Sequence, residues 1–366
     1  MPTDIPSSLA GLSLCDLETI LNPLPRFRAR QIYKWILRGA GGFEQMTDIP
    51  IYLQKELTAR FRIFSSVIVS RHDDADARKI VLALKDGSQI ESVLLSDGKR
   101  RLTACLSTQA GCPIGCVFCK TGSLGFVRNL DCQEIVEQLI FLSASGIVRP
   151  HSPRSDSETS GNIKNKDGHI IDNIVVMGMG EPLLNLTQLR KAIAIFNDPA
   201  GMNYSKRRIT ISTCGICDSL FDVAENGPFV RLALSLITAD EELRQKLMPA
   251  ASANPLQKVR EALILFQRNG SGRITLEIPL LGGVNTREKD ALSIAEFAAG
   301  IDSVVNIIPW NPVAGFEFEG KPLREPEKNE TSYFSGKLES LGLKVTTRLR
   351  KGRSVMGACG QLGGEI

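Results

Sequence analysis

Three cysteines in the stretch GCPIGCVFCKTGSLGFVRN, residues 111–129, constrain this chain more than any other feature. Cys112, Cys116 and Cys119 form a C-x3-C-x2-C loop, and thiolates this close in sequence converge on one metal centre without long-range folding. A closed structural metal site normally takes four protein ligands. This loop offers three, which points to an iron–sulfur cluster with one iron open to a small molecule, against the alternative of a structural metal knuckle.

The framework around the loop follows from hydrophobic rhythm. From about residue 102, short β-branched runs alternate with helical patterns, with strands expected at 102–107, 173–178, 208–213, 231–236, 273–280 and 303–310. That alternation argues for parallel α/β architecture. The helix after the cysteine loop opens at Asp131 with Glu134 three residues on, a capping-box start. Six βα units fit a partial (β/α)6 TIM-like barrel, and a doubly wound sheet would show the same alternation. The unusual residues favour the barrel, where chemistry collects at one face. The cysteine loop follows the first strand, Gly178-Met179-Gly180-Glu181-Pro182 the second, Ser212 ends the third, Ser235 the fourth, and Asn311 follows the last.

The other segments read more simply. Residues 1–65 are rich in helix formers and carry Arg26, Arg28 and Arg30, so they are expected as a small helical accessory domain, either a cap on the barrel or an RNA-facing unit. Runs at 79–84 and 89–95 flank Asp86-Gly87, a hairpin signal within a 66–101 extension. Glu91 in the second run reads as part of a solvated strand face. The barrel proper is expected over 102–350, with a polar insertion at 149–169 too poor in apolar residues to order itself.

At 366 residues and 43% hydrophobic content the chain can bury a full core. Its net charge of +4 permits nucleic acid without demanding it. Nine cysteines in so long a chain, without a secretory leader pattern or an 18-residue apolar run, point to a cytoplasmic protein with reduced thiols and no membrane span. Cys214-x-x-Cys217 lacks a second pair nearby, and with Cys15 and Cys132 it reads as partly buried structural thiols. Residues 351–366 end in Ala358-Cys359-Gly360-Gln361-Leu362. A glycine-flanked tail of this kind is expected to be flexible, with Cys359 as a mobile reactive thiol.

Taken in order, ACLSTQAGCPIGCVFCKTGSLGFVRNL, VVMGMGEPLLN, RRITIST, LALSL, IIPWNP and ACGQL resemble the radical S-adenosylmethionine (SAM) methyltransferases that modify carbon-2 of adenosine in 23S rRNA and in tRNA. The resemblance runs from about residue 25 to the end. It implies that Cys112, Cys116 and Cys119 hold a four-iron, four-sulfur cluster whose open iron binds SAM. Gly180, Glu181, Ser212, Ser235, Leu236, Ile237 and Asn311 match SAM-binding positions. Cys359 matches the cysteine that is methylated, Cys105 its disulfide-forming partner, and Glu91 a proton acceptor. An external, flavodoxin-type electron donor is also expected, and a monomer is favoured with the oligomeric state left open.

RNA contacts are expected from Arg26–Arg30 and from basic clusters at 99–101, 206–208 and 348–353. Many relatives carry Ser-Leu-His-Ala where this chain has Ser235-Leu236-Ile237-Thr238, and an acidic-apolar pair where it has Ser354-Val355-Met356. These departures bear on SAM affinity and RNA target. The alternatives are the related carbon-8 methyltransferase, a radical SAM enzyme with a non-RNA substrate, and a non-enzymatic RNA-binding protein whose structural metal site recruits Cys105.

Overall fold

The computed structural model describes residues 8–97, 101–144, 170–270, 272–348, 352 and 355–364. The expected insertion at 149–169 and parts of the basic clusters, residues 99–100, 349–351 and 353, lie outside them.

Helices α1 (Leu14–Ile20), α2 (Arg26–Leu37) and α3 (Ile51–Arg60) come first. Ser13 and Asp16 close a reciprocal capping box on α1. In α2, Ala29, Ile32, Tyr33 and Ile36 are buried, the spacing of a single helix face. Those side chains join the same continuous apolar core as the barrel, so the N-terminal helices are packed onto it.

Then follow β1 (Val67–Asp73), β2 (Ala77–Ala83), β3 (Gln89–Ser96), β4 (Leu102–Cys105) and β5 (Gln109–Gly111), the short α4 (Lys120–Ser123), β6 (Phe126–Asn129) and α5 (Cys132–Ala144). The α/β run continues through β7 (Asn173–Val176), α6 (Leu186–Asn197), β8 (Ile209–Thr213), α7 (Cys217–Asn226) and β9 (Arg231–Ser235). Next come α8 (Glu241–Leu247), α9 (Leu256–Arg268), β10 (Ile274–Leu280), α10 (Glu288–Ala298) and β11 (Ser303–Pro309). A small hairpin of β12 (Glu317–Phe318) and β13 (Lys321–Pro322), then α11 (Lys328–Ser340) and β14 (Val345–Thr347), complete it.

Ten of these strands form one sheet in the order β1-β2-β3-β4-β7-β8-β9-β10-β11-β14. Pairing is antiparallel up to β4 and parallel from β4 onward. This is the expected α/β partial barrel with a helical N-terminal region. The six expected parallel strands are all present, with ends trimmed by one or two residues, and β14 adds a seventh. Among the described residues no helix is long and apolar enough to cross a membrane.

One buried carboxylate fastens the N-terminal region to the barrel. Glu137 on α5 is fully buried and accepts hydrogen bonds from the Ser8 hydroxyl and from the amides and hydroxyls of Ser65 and Ser66. Burial pushes its carboxyl up against the pull of those donors. Glu137→Gln places an NH2 group among donors, and is expected to cost about 2 kcal/mol or more in urea unfolding. An unchanged midpoint would show that the serine cradle is not a structural tie.

Candidate active site

The cysteine loop is held from four directions. The β5–β6 hairpin frames it, with the Cys112 amide donating to the Gly125 carbonyl at 2.7 Å. Val117 donates to the Leu247 carbonyl at the end of α8, and the Trp310 indole N–H donates to the Phe118 carbonyl at 2.8 Å. A second, smaller apolar cluster, including Ile114, Phe118, Leu247, Leu281 and Trp310, packs beneath the loop.

The fourth support is the C-terminal tail, and here the expectation of a frayed, mobile end is corrected. Ala358, Gln361 and Leu362 are buried. The Lys120 amide donates to the Gly360 carbonyl, the Thr121 hydroxyl to the Leu362 carbonyl, and the Gln361 amide side chain to the Pro312 carbonyl. Asn311 donates to the Cys359 carbonyl at 3.2 Å. Cys359 is thereby fixed in the wall of a cavity of about 170 Å³ at the C-terminal mouth of the barrel.

Of the expected site residues, Cys112, Cys116, Cys119, Gly180, Glu181, Ser212, Ser235, Ile237 and Cys359 line that cavity. Leu236 does not; it is fully buried in the main core. Asn311 is buried beside the cavity, and its Oδ1 has no hydrogen-bond partner, an acceptor left available for a ligand. Cys105 is buried at the end of β4. Burial, then the proximity of Cys359, pushes its thiol up to about 12, against the opposing influence of Arg348. All nine cysteines, Cys105 and Cys359 included, are free thiols.

Two readings change, those of Glu91 and Cys15, and the 178–182 turn takes on a structural role. Glu91 is not on a solvated face: it is fully buried, 3.5 Å from the Lys79 ammonium, and its Oε2 accepts the Gly363 amide at 2.9 Å. The glycines of the 178–182 turn serve the chain's own packing, since a Cβ at Gly178 would lie 2.6 Å from the Ser107 hydroxyl and one at Gly180 would lie 2.5 Å from Gln109. Glu181 spends its oxygens on the Leu183 amide, the Thr213 hydroxyl and the Cys214 amide, so it shapes the cavity wall as well as facing it. Cys15, expected partly buried, is exposed.

Residues 154–295 match the radical SAM superfamily, and residues 9–63 match the ribosomal RNA large subunit methyltransferase N-terminal domain. A Treponema denticola protein named probable dual-specificity RNA methyltransferase RlmN is 42% identical over 358 residues, covering 98% of this chain and 95% of the relative. The chain belongs to the RlmN family of radical SAM RNA methyltransferases. The Lawsonia intracellularis dual-specificity RNA methyltransferase RlmN is 38% identical over 92% of this chain and 90% of its own. The crystal structure of a radical SAM methyltransferase from Sphaerobacter thermophilus superposes with a TM-score of 0.87 at 32% identity, covering 98% of this chain and 99% of that one.

Membership of the RlmN family implies a four-iron, four-sulfur cluster and SAM, and the residues fit both. Burial pushes the loop thiols up, Cys112 to about 12 and Cys116 well above its usual value, so a bound metal must displace their protons. Among the described residues no three His, Cys, Asp or Glu side chains close around one ion.

Two features of this RlmN-family site lie beyond the motifs: the carboxylate of Glu277 and the backbone conformation of Ile237. Glu277, a carboxylate inside the apolar strand β10, lines the cavity and accepts the Ser212 hydroxyl at 2.8 Å; its charge within ITLEIPL was the available clue. Ile237 has φ +68, a left-handed conformation that is strained for a β-branched residue and costs on the order of 1–3 kcal/mol. The departure from Ser-Leu-His-Ala therefore falls on a strained residue at the cavity.

The basic clusters divide by position. Lys206 and Arg207 are exposed just before β8, at the end of the barrel opposite the cavity. Arg26 and Arg30 face Glu18, and Arg28 donates to Gln31 and the Asp48 carbonyl. Arg348 follows β14, is half-buried, and has its guanidinium raised by Cys359, Glu277 and Cys105, so it faces the cavity side.

Proposed function

We propose that this protein methylates carbon-2 of adenosine in 23S rRNA and in tRNA, with Cys359 as the methyl carrier. The docking of Cys359 into the wall of the cavity that also holds Cys112, Cys116 and Cys119 carries this reading. In it, those three thiolates hold the cluster, and Ser212, Ser235, Asn311 and the 178–182 turn surround SAM. When bound, the cluster and SAM supply a methyl group and a 5′-deoxyadenosyl radical.

Carbon-2 of adenine is electron-poor and has no lone pair, so the carbon delivered to it has to be the reactive partner. A thiolate carrier suits this task. Having given up one hydrogen atom to the 5′-deoxyadenosyl radical, the S-methyl carbon of Cys359 joins the base; Glu91 takes the carbon-2 proton, and the surplus electron would return to the oxidised cluster. The Cys105 thiolate then attacks the Cys359 sulfur and breaks its bond to that carbon, which takes up a proton as the methylated RNA leaves. The Cys105–Cys359 disulfide left behind is reset by an external reductant. Because the Glu91 carboxylate holds the Gly363 amide, the tail turn at Gly363 has to lift before Glu91 can reach a base. The adenine itself has to leave its stack, which favours loop targets over regular duplex.

The test is anaerobic reconstitution with iron and sulfide, then incubation with methyl-labelled SAM, a flavodoxin-type reductant and protein-free large-subunit rRNA or tRNA. Mass spectrometry of the nucleosides is expected to find 2-methyladenosine. Label on carbon-8 instead would move the target atom, and cluster assembly without labelled RNA would move the substrate.

A further inference from the structure

Arg244 on α8 is the largest side chain that is wholly buried among the described residues. Its Nη2 donates to the Cys214 carbonyl at 2.6 Å and its Nη1 reaches the Asn254 carbonyl at 3.4 Å, while Nε has no acceptor. The charged and ionisable groups within electrostatic reach of it are Glu241 on its own helix, Cys116 on the cysteine loop, and Cys214 and Cys217 after β8, and α8 is packed on that loop by the Val117 amide donating to the Leu247 carbonyl at 3.0 Å. Glu241 forms no ion pair with it: one carboxylate oxygen takes the Leu256 amide and the other is unbonded.

A guanidinium buried without a carboxylate is costly, because two carbonyl dipoles do not replace the hydration of a full charge. Arginine cannot escape by losing its proton. An anion in the same low-dielectric region would remove the cost, and the loop carrying Cys116 is where one belongs. A four-iron, four-sulfur cluster held by three thiolates is net negative, and gains a further negative charge on reduction.

We propose that Arg244 is the built-in countercharge of the cluster, a buried cation that stabilises the reduced form and raises its reduction potential. The inference rests on the reading that Cys112, Cys116 and Cys119 bind the cluster. A fixed positive charge favours the more negative redox state, and burial beside α8 limits solvent screening. A purely structural Arg244, tying the loop after β8 to Asn254 through two hydrogen bonds, would leave the potential untouched.

The test compares the full-length protein with Arg244→Met, Arg244→Lys and Glu241→Gln after anaerobic reconstitution, reading iron per chain and the midpoint from a redox titration followed by electron paramagnetic resonance. Arg244→Met is expected to keep its iron while its reduced fraction, poised at the wild-type midpoint, is about tenfold smaller relative to the oxidised form, a shift of about 59 mV for one electron. Arg244→Lys, which keeps the charge, is expected to remain near wild type, and Glu241→Gln to shift the midpoint upward. An iron-replete Arg244→Met with an unmoved midpoint overturns the proposal, as does an Arg244→Lys shift equal to that of Arg244→Met. If Arg244→Met holds no cluster, Arg244→Gln, which can keep a hydrogen bond to the Cys214 carbonyl without the charge, decides: a lowered midpoint supports the countercharge and an unmoved one overturns it. A wild-type chain that binds no iron defeats the cluster reading itself.

Discussion

Cys359→Ala is expected to abolish RNA methylation while leaving the tail docked and the cluster loop in place. The tail is held here mainly through backbone groups, with the Cys359 carbonyl accepting from Asn311 and the Gly360 and Leu362 carbonyls accepting from α4. Alanine keeps all of these. The half-buried sulfur fills little core, so the stability cost is about 1 kcal/mol at most.

The chemical cost is of a different order. On the proposed mechanism no thiolate then carries the methyl carbon to the adenine ring, and product is expected to fall by at least about 10³-fold. Cys359→Ser sharpens the result. Its hydroxyl is far too weakly acidic to act as a thiolate does, so it is expected to be equally inactive although nearly isosteric. Normal 2-methyladenosine from either variant, at full iron content and an unchanged unfolding midpoint, would remove Cys359 from the mechanism.

What the sequence disclosed, and what it hid, follows the range of the interactions involved. The parallel strands were legible because each is a short β-branched run bounded by turn residues. The edge strand β1 was missed because Val67, Ile68 and Val69 are exposed and the strand ends in Arg71-His72-Asp73, a sequence without clean alternation. Strand β14 is three residues long, too short for any period to register. The burial of Glu91 was recoverable in principle. Once the Asp86-Gly87 turn sets the hairpin register, Val81 opposes Glu91 and Lys79 opposes Val93, which puts Lys79 and Glu91 diagonally on one face. The docked tail was not recoverable, since its partners are the amide of Lys120 and the side chains of Thr121 and Asn311, and the two side chains lie 241 and 48 residues away along the chain. Arg244 was hidden for a similar reason: EELRQKL reads as an exposed charged helix until α8 is placed against the cysteine loop.

Cys105→Ala is expected to fail at the opposite end of the reaction and to leave a visible trace. If Cys105 frees the RNA by attacking the Cys359 sulfur, its loss stalls the protein after carbon–carbon bond formation, with RNA covalently attached. Denaturing gel electrophoresis with labelled RNA is expected to show a slow band that survives heat and detergent, disappears on protease treatment, and is absent when Cys359→Ala is added to the same chain. Free methylated RNA is expected to drop by at least about 10²-fold. The structure adds a pH signature for the wild type. Burial, which still acts once the Cys359 sulfur is alkylated and uncharged, holds the Cys105 thiol well above its usual value, so the reactive thiolate is scarce at neutral pH and grows as pH rises. Release of the attached RNA, measured in a single turnover, is therefore expected to quicken by about tenfold per pH unit across the neutral to mildly alkaline range, without a plateau. A plateau near neutral pH would mean that Arg348, or a movement of the tail, lowers the Cys105 thiol far below its resting value during turnover. A Cys105→Ala variant that releases methylated RNA freely would show that some other group resolves the adduct.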